Sequence, residues 1–170
     1  MLASTSLMAQ QKFRCITGKV SFFSETPLED IEAHSDKGAA ILVAGANKIV
    51  VSIPLKSFQF PNSLMQDHFN EKYVESDKYP KATFVGKIKE PIDFSVKGAY
   101  TVTAVGKLSI HGIEKVRNIS GVITVVKGKV HLSSKFTIRP EDHKIEIPSL
   151  VFEKIAEEIT VNIEMDMNPY

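Results

Sequence analysis

Acid–base or metal chemistry in this chain would have to come from five histidines, His34, His68, His111, His131 and His143. Catalytic zinc needs about three converging protein ligands, usually visible as His-x-His or His-Glu-x-x-His. Neither spacing occurs here. His111 and His131 fall on the polar sides of alternating segments, and His111 precedes Gly112, so both read as solvated or capping side chains. An enzyme acting on an apolar substrate would use His68 or His111 as its base, yet neither has a carboxylate at a short, orienting spacing. Nucleophile and phosphate motifs are missing as well: there is no Gly-x-Ser-x-Gly and no glycine-rich phosphate loop. Gly98, Gly106, Gly112, Gly121 and Gly128 are spaced for turns and strand kinks. Asp67, Glu71, Glu75 and Asp77 lie near Lys72 and Lys78, the usual form of a solvated charge cluster. The single cysteine, Cys15, excludes an intramolecular disulfide and sits in an apolar alternating stretch, where it reads as core. The expectation is no catalysis, no metal and no cofactor.

The chemistry left is that of apolar surface, so the elements that place it matter most. Alternation with period two dominates, as in strands with one wet face. Ile159, Val161, Ile163, Met165 and Met167 share one side of a segment whose other side is Thr160, Asn162, Glu164 and Asp166. Val130, Leu132, Ser134, Phe136 and Ile138 repeat the pattern, as do Tyr100, Val102, Ala104, Gly106, Leu108 and Ile110. Turns fall at Val96-Lys97-Gly98, Ile110-His111-Gly112 and Val126-Lys127-Gly128-Lys129, which makes Tyr100 to Ile138 a meander of three long strands. Ala39–Val43 and Lys48–Leu55 flank a four-residue connection, Ala44-Gly45-Ala46-Asn47. Further strands near Phe13–Ser24, Ile31–Ser35 and Ala82–Ile88 bring the total to about eight. One segment breaks the period: Ser63 and Gln66 form a capping box, and Leu64, Met65, His68, Phe69, Lys72 and Tyr73 share a helical face of about three turns. Long one-sided strands in meander order predict a mainly all-β, antiparallel β-barrel with one amphipathic helix over an end or flank. The polar unit Asn62–Phe84 reads either as a structural corner pinned by Asp77 and Tyr79 or as a pocket's polar rim.

The totals agree with one globular domain of 170 residues, 43% hydrophobic and 24% charged. With 21 Lys+Arg against 20 Asp+Glu the net charge is +1, which disfavours nucleic acid as a partner while leaving room for a local basic patch. No apolar run approaches the roughly 20 residues of a transmembrane helix. Met1–Ala9 is apolar, small and uncharged, and reads as the latter half of a secretory signal or as a disordered tail ahead of a domain over residues 10–170.

Two stretches resemble a known family. Leu64 to Phe84, a helix leading into Tyr79-Pro80-Lys81-Ala82-Thr83-Phe84, resembles the helix and Tyr-Pro-x-Ala-x-Phe strand of YceI-like proteins. Gly106 to Lys115, with Leu108, Ile110, His111 and Gly112 in place, resembles that family's Gly-x-Leu-x-(Leu/Ile)-His-Gly-x-x-Lys. The resemblance extends from about Lys12 to Met167. It implies a lipocalin-like barrel holding a long isoprenoid, in some members a polyprenyl quinone or polyprenyl phosphate, and often a periplasmic or secreted location. The stretches Arg139–His143 and Ile147–Phe152 depart from the family pattern and leave the head group open.

The leading expectation is therefore an isoprenoid lipid carried or stored in an apolar interior. Its walls would be Phe22, Ile53, Phe84, Tyr100, Val102, Leu108, Phe136, Ile138 and Met165, with Met65 and Phe69 from the helix and His68, Tyr73, Tyr79 and His111 at the rim. Ala104, Gly106, Gly121 and Ser134 on inward positions point to spare room. The alternatives are an enzyme on an apolar substrate, or an interaction scaffold whose barrel is filled by its own side chains. Oligomeric state is left open, a homodimer among the options.

Overall fold

The alternating segments become eight antiparallel strands in a computed structural model that describes residues 11–148 and 155–170. They are β1 (Lys12–Glu25), β2 (Asp30–Val43), β3 (Lys48–Pro54), β4 (Lys81–Ile88), β5 (Gly98–Ile110), β6 (Ile113–Val126), β7 (Lys129–Ile138) and β8 (Ile159–Pro169). Each pairs with the next, and β8 returns to β1, so that every one of the eight strands has a paired neighbour on both sides along at least part of its length. The possible leader Met1–Ala9 lies outside the described residues, as do 149–154.

Local chemistry explains the turns. His111 and Gly112 have φ of 55° and 71°, and Lys127 and Gly128 have φ of 50° and 75°. Two successive left-handed residues match the twist of a two-residue hairpin, and glycine takes the second position without strain. Gly98 instead opens β5, because the preceding turn closes earlier, where Val96 N–H donates to the Asp93 carbonyl. Ile31–Ser35 and Ala39–Val43 are halves of one strand, β2, whose register against β1 shifts around Gly18 and Gly38. Met165 lies over these facing glycines: a Cβ on Gly18 would stand 2.7 Å from its Cγ.

The helix divides in two. α1 covers Ser63–His68, and a π-helical turn follows over Phe69–Tyr73. Its cap is Asn62, one residue before the expected Ser63. Asn62 Oδ1 accepts from Leu64 N–H at 2.8 Å and Met65 N–H at 3.4 Å. Asn caps as well as Ser, and Asn62 has the extended backbone that the position needs. Gln66 reaches past the cap and accepts from Phe60 N–H. The wider turn is held by Asn70, whose amide donates to the Gln66 carbonyl while its Oδ1 accepts from Ser76 Oγ.

Packing differs between the two ends of the barrel. At the end carrying both terminal strand tips, Phe13, Leu42, Val125, Val130 and Met167 are buried together, and Phe94 closes it with its ring 5.4 Å from Phe13. The other end carries α1, the β5–β6 hairpin and the β7–β8 connection. There the interior is hollow.

Candidate ligand-binding site

The hollow measures about 520 Å³, within the range of small-molecule pockets. Nine of the sequence-selected wall residues line it. Phe22, Ile53, Phe84, Val102, Leu108, Phe136 and Ile138 come from strands, and Met65 and Phe69 from the helical segment. Tyr100 and Met165 do not. Both point inward, but toward the packed end: Met165 is fully buried over the two glycines, and the Tyr100 hydroxyl donates to the Asp93 and Val96 carbonyls. The barrel is therefore not filled by its own side chains.

Several wall residues had escaped the sequence reading. Phe58 and Phe60 line the cavity because Gln59 makes a two-way backbone bridge with His34, turning both rings inward. A three-residue Phe-x-Phe alternation was the signal, too short to read as a strand. Phe22, Phe58, Phe60 and Phe69 form one cluster, with centroids 5.0 Å apart for Phe22 and Phe58 and 5.1 Å for Phe60 and Phe69. Ile145, Ile147 and Ile155 add wall from the β7–β8 connection, where Ile145-Glu146-Ile147 is likewise an alternation too short to read as a strand.

Polar lining is sparse and partly engaged. Ser24 Oγ accepts from Ala156 N–H, and Ser134 Oγ donates to the Ser120 carbonyl at 2.7 Å. Glu29, Asn62, His68, Tyr73, Thr83 and Ser120 complete it. Partial burial pushes the Tyr73 phenol above its ordinary value. Among the described residues the lining includes no Lys or Arg.

His68 and Tyr73 thus stand on the cavity, whereas Tyr79 and His111 stand apart from it. The Tyr79 ring packs edge-on against His111 at 4.9 Å and covers Gly112. His111 Nε2 lies 2.5 Å from Glu75 Oε2, and its Nδ1 donates to the His143 carbonyl at 3.0 Å. The two stretches that carried the family resemblance meet here, as a structural corner. An oriented His–carboxylate pair does exist, spanning 36 residues, but neither member lines the hollow. His143 is fully buried beneath it. Its Nδ1 donates to the Ile113 carbonyl, its Nε2 has no partner among the described residues, and burial holds its pKa below the ordinary value. On the outer wall His131 sits between Asp166 at 2.7 Å and Glu164 at 2.6 Å, and the hydrogen bond to Asp166 raises its pKa. No cluster of three metal-ligating side chains occurs among the described residues.

A closed eight-stranded antiparallel barrel, packed at one end and hollow at the other, is a lipocalin-like fold with room for an apolar guest. The chain belongs to the YceI-like domain family, whose model matches residues 4–167. Three solved structures share the fold. A polyisoprenoid binding domain from Saccharophagus degradans, implicated in plant cell wall breakdown, superposes with a TM-score of 0.79 at 14% identity, covering 95% of this chain and 100% of that one. Burkholderia cenocepacia BcnA gives 0.74 at 17% identity, over 88% and 95%. A Campylobacter jejuni YceI protein gives 0.62 at 21%, over 79% and 82%. No match is found among curated protein sequences.

Proposed function

We propose that this protein binds an isoprenoid lipid with its tail in the barrel, and carries or stores it unchanged in the periplasm or outside the cell. The observation that carries the reading is the 520 Å³ apolar hollow walled by aliphatic and aromatic side chains. Apolar surface gains about 25 cal/mol per Å² on leaving water, so a tail needs few polar contacts to bind tightly. A cavity of about 150 Å³ accommodates benzene, with roughly six carbons. On that scale the hollow takes about twenty carbons, or about four isoprene units. The polyisoprenoid binding domain from Saccharophagus degradans, alike in fold, supports an isoprenoid over other apolar guests.

The test is native mass spectrometry with organic extraction, on protein purified from its source. The expected result is one polyisoprenoid per chain. An empty barrel, or a guest without isoprene units, would overturn the reading.

A further inference from the structure

The barrel wall is not uniformly closed. Pairing of β6 with β7 stops at Gly121 opposite Ser134, although Ile113–Ser120 and Lys135–Ile138 continue as strand on either side. By contrast β5 pairs with β6 along its whole length, from Gly98 to Ile110. The unzipped seam opens onto the hollow: Ile119 and Ser120 line it from one side, Ser134, Phe136 and Ile138 from the other. Ile119 and Phe136 are each half-buried there.

Two cations stand at this seam. Leu108, a wall residue, is directly opposite Lys115, and Gly106 is directly opposite Arg117. Directly opposed residues share a face, so Lys115 and Arg117 lie on the same row as Ile119 and Ile123, the inward row of β6. Because β7 has parted from β6, Arg117 reaches across the gap instead of into the core, and Lys115, two residues away on the same row, is exposed. The Arg117 guanidinium lies 6.0 Å from the centroid of the Phe136 ring and donates to the Thr137 carbonyl across the gap at 2.7 Å. Neither cation has an ion-pair partner among the described residues, whereas nearby Lys107 and Arg139 each pair with a glutamate. An arginine fork with free donors, beside the opening of an apolar cavity, suits a phosphate or other anionic group.

We infer that the seam between β6 and β7 is the head-group site. The lipid is an isoprenoid with an anionic, phosphate-type head held by Arg117 and Lys115, and its tail passes between Ile119 and Phe136 into the barrel. This rests on the isoprenoid reading above and adds the class of head group to it.

The test compares geranylgeranyl monophosphate with geranylgeraniol, two probes sharing a tail of four units, by titration calorimetry. The parent binds the phosphate at least about tenfold more tightly, as charge-assisted hydrogen bonds allow. Arg117→Ala with Lys115→Ala abolishes that preference, bringing the two probes to the same affinity. Arg117→Gln, which keeps a donor for Thr137 but removes the charge, also reduces the preference. Inorganic phosphate alone does not displace the bound lipid phosphate. Equal affinity of the parent for both probes, survival of the preference in the double variant, or displacement by inorganic phosphate overturns the assignment. Failure of both probes to bind sinks the isoprenoid reading itself, a separate result.

Discussion

A buried histidine with one unpartnered nitrogen makes stability depend on pH in a direction that can be worked out. Burial lowers the His143 pKa in the folded chain. As pH falls below the ordinary histidine value of about 6.5, the unfolded chain takes up a proton that the folded chain refuses, so stability falls. His131 has the opposite sign: its pKa is raised, chiefly by Asp166, so its contribution is complete below about 6.5 and fades as pH rises through its folded value. Thermal unfolding between pH 5 and 8 should therefore show a stability maximum near about pH 6.5. His143→Gln should flatten the acid limb alone, and an unchanged acid limb would refute this origin. Position within the barrel decides a second pair of variants. Val102 is buried on the cavity wall, and a carboxylate there costs several kcal/mol unless neutralised. Val102→Asp, if folded by circular dichroism, should lose lipid on gel filtration, while Thr160→Ala should keep it. Met165→Ala should cost about 2–5 kcal/mol in denaturant unfolding and still retain lipid, because Met165 supports the packed end.

At the level of elements, the helical segment is fastened at both ends rather than driven by its own propensity. α1 is too short to persist alone, so its cap and the corner beyond it do the fastening. Asn62→Ala should lower stability by about 1 kcal/mol, while Ser63→Ala should do less, since Ser63 makes no cap bond. Equal losses in urea would restore Ser63 as the cap. The far fastening is the contact of Tyr79 with His111 and Gly112, joined by the backbone bond from Leu55 N–H to the Pro80 carbonyl. That corner ties the β3–β4 connection to the β5–β6 hairpin, and so holds Met65 and Phe69 over the hollow.

The whole molecule divides its length between a plug and a container. With one end filled by Phe13, Leu42, Phe94 and Met167, the container's depth limits how much tail is sheltered. Affinity for a series of prenols should rise with each unit up to about four and then level off, because further units stay in water. A rise continuing undiminished to eight units would mean that the packed end opens.

The antiparallel barrel, its number of strands and a part of its cavity wall were legible in the sequence. Period-two patterning assigns each side chain to a face, and a meander of such strands has few ways to bury those faces together. Height along the barrel was not legible. Tyr100 and Met165 lie on the same inward faces as Val102 and Ile163, yet only the latter pair reaches the hollow. The stagger of strands around the closed sheet decides which inward residues meet a plug and which meet a void, and alternation is blind to it. The same holds for partners distant in the chain, such as Glu75 with His111 or His131 with Asp166, which only strand register and the helix–hairpin corner bring together. The parting of β6 from β7 left only a partial mark in the pattern. β7 keeps its alternation past Ser134, whereas the inward row of β6 changes from Ile123 and Ile119 to Arg117 and Lys115, with Val116 exposed on the other side; that this break is a gap bridged by Arg117 is visible only in three dimensions.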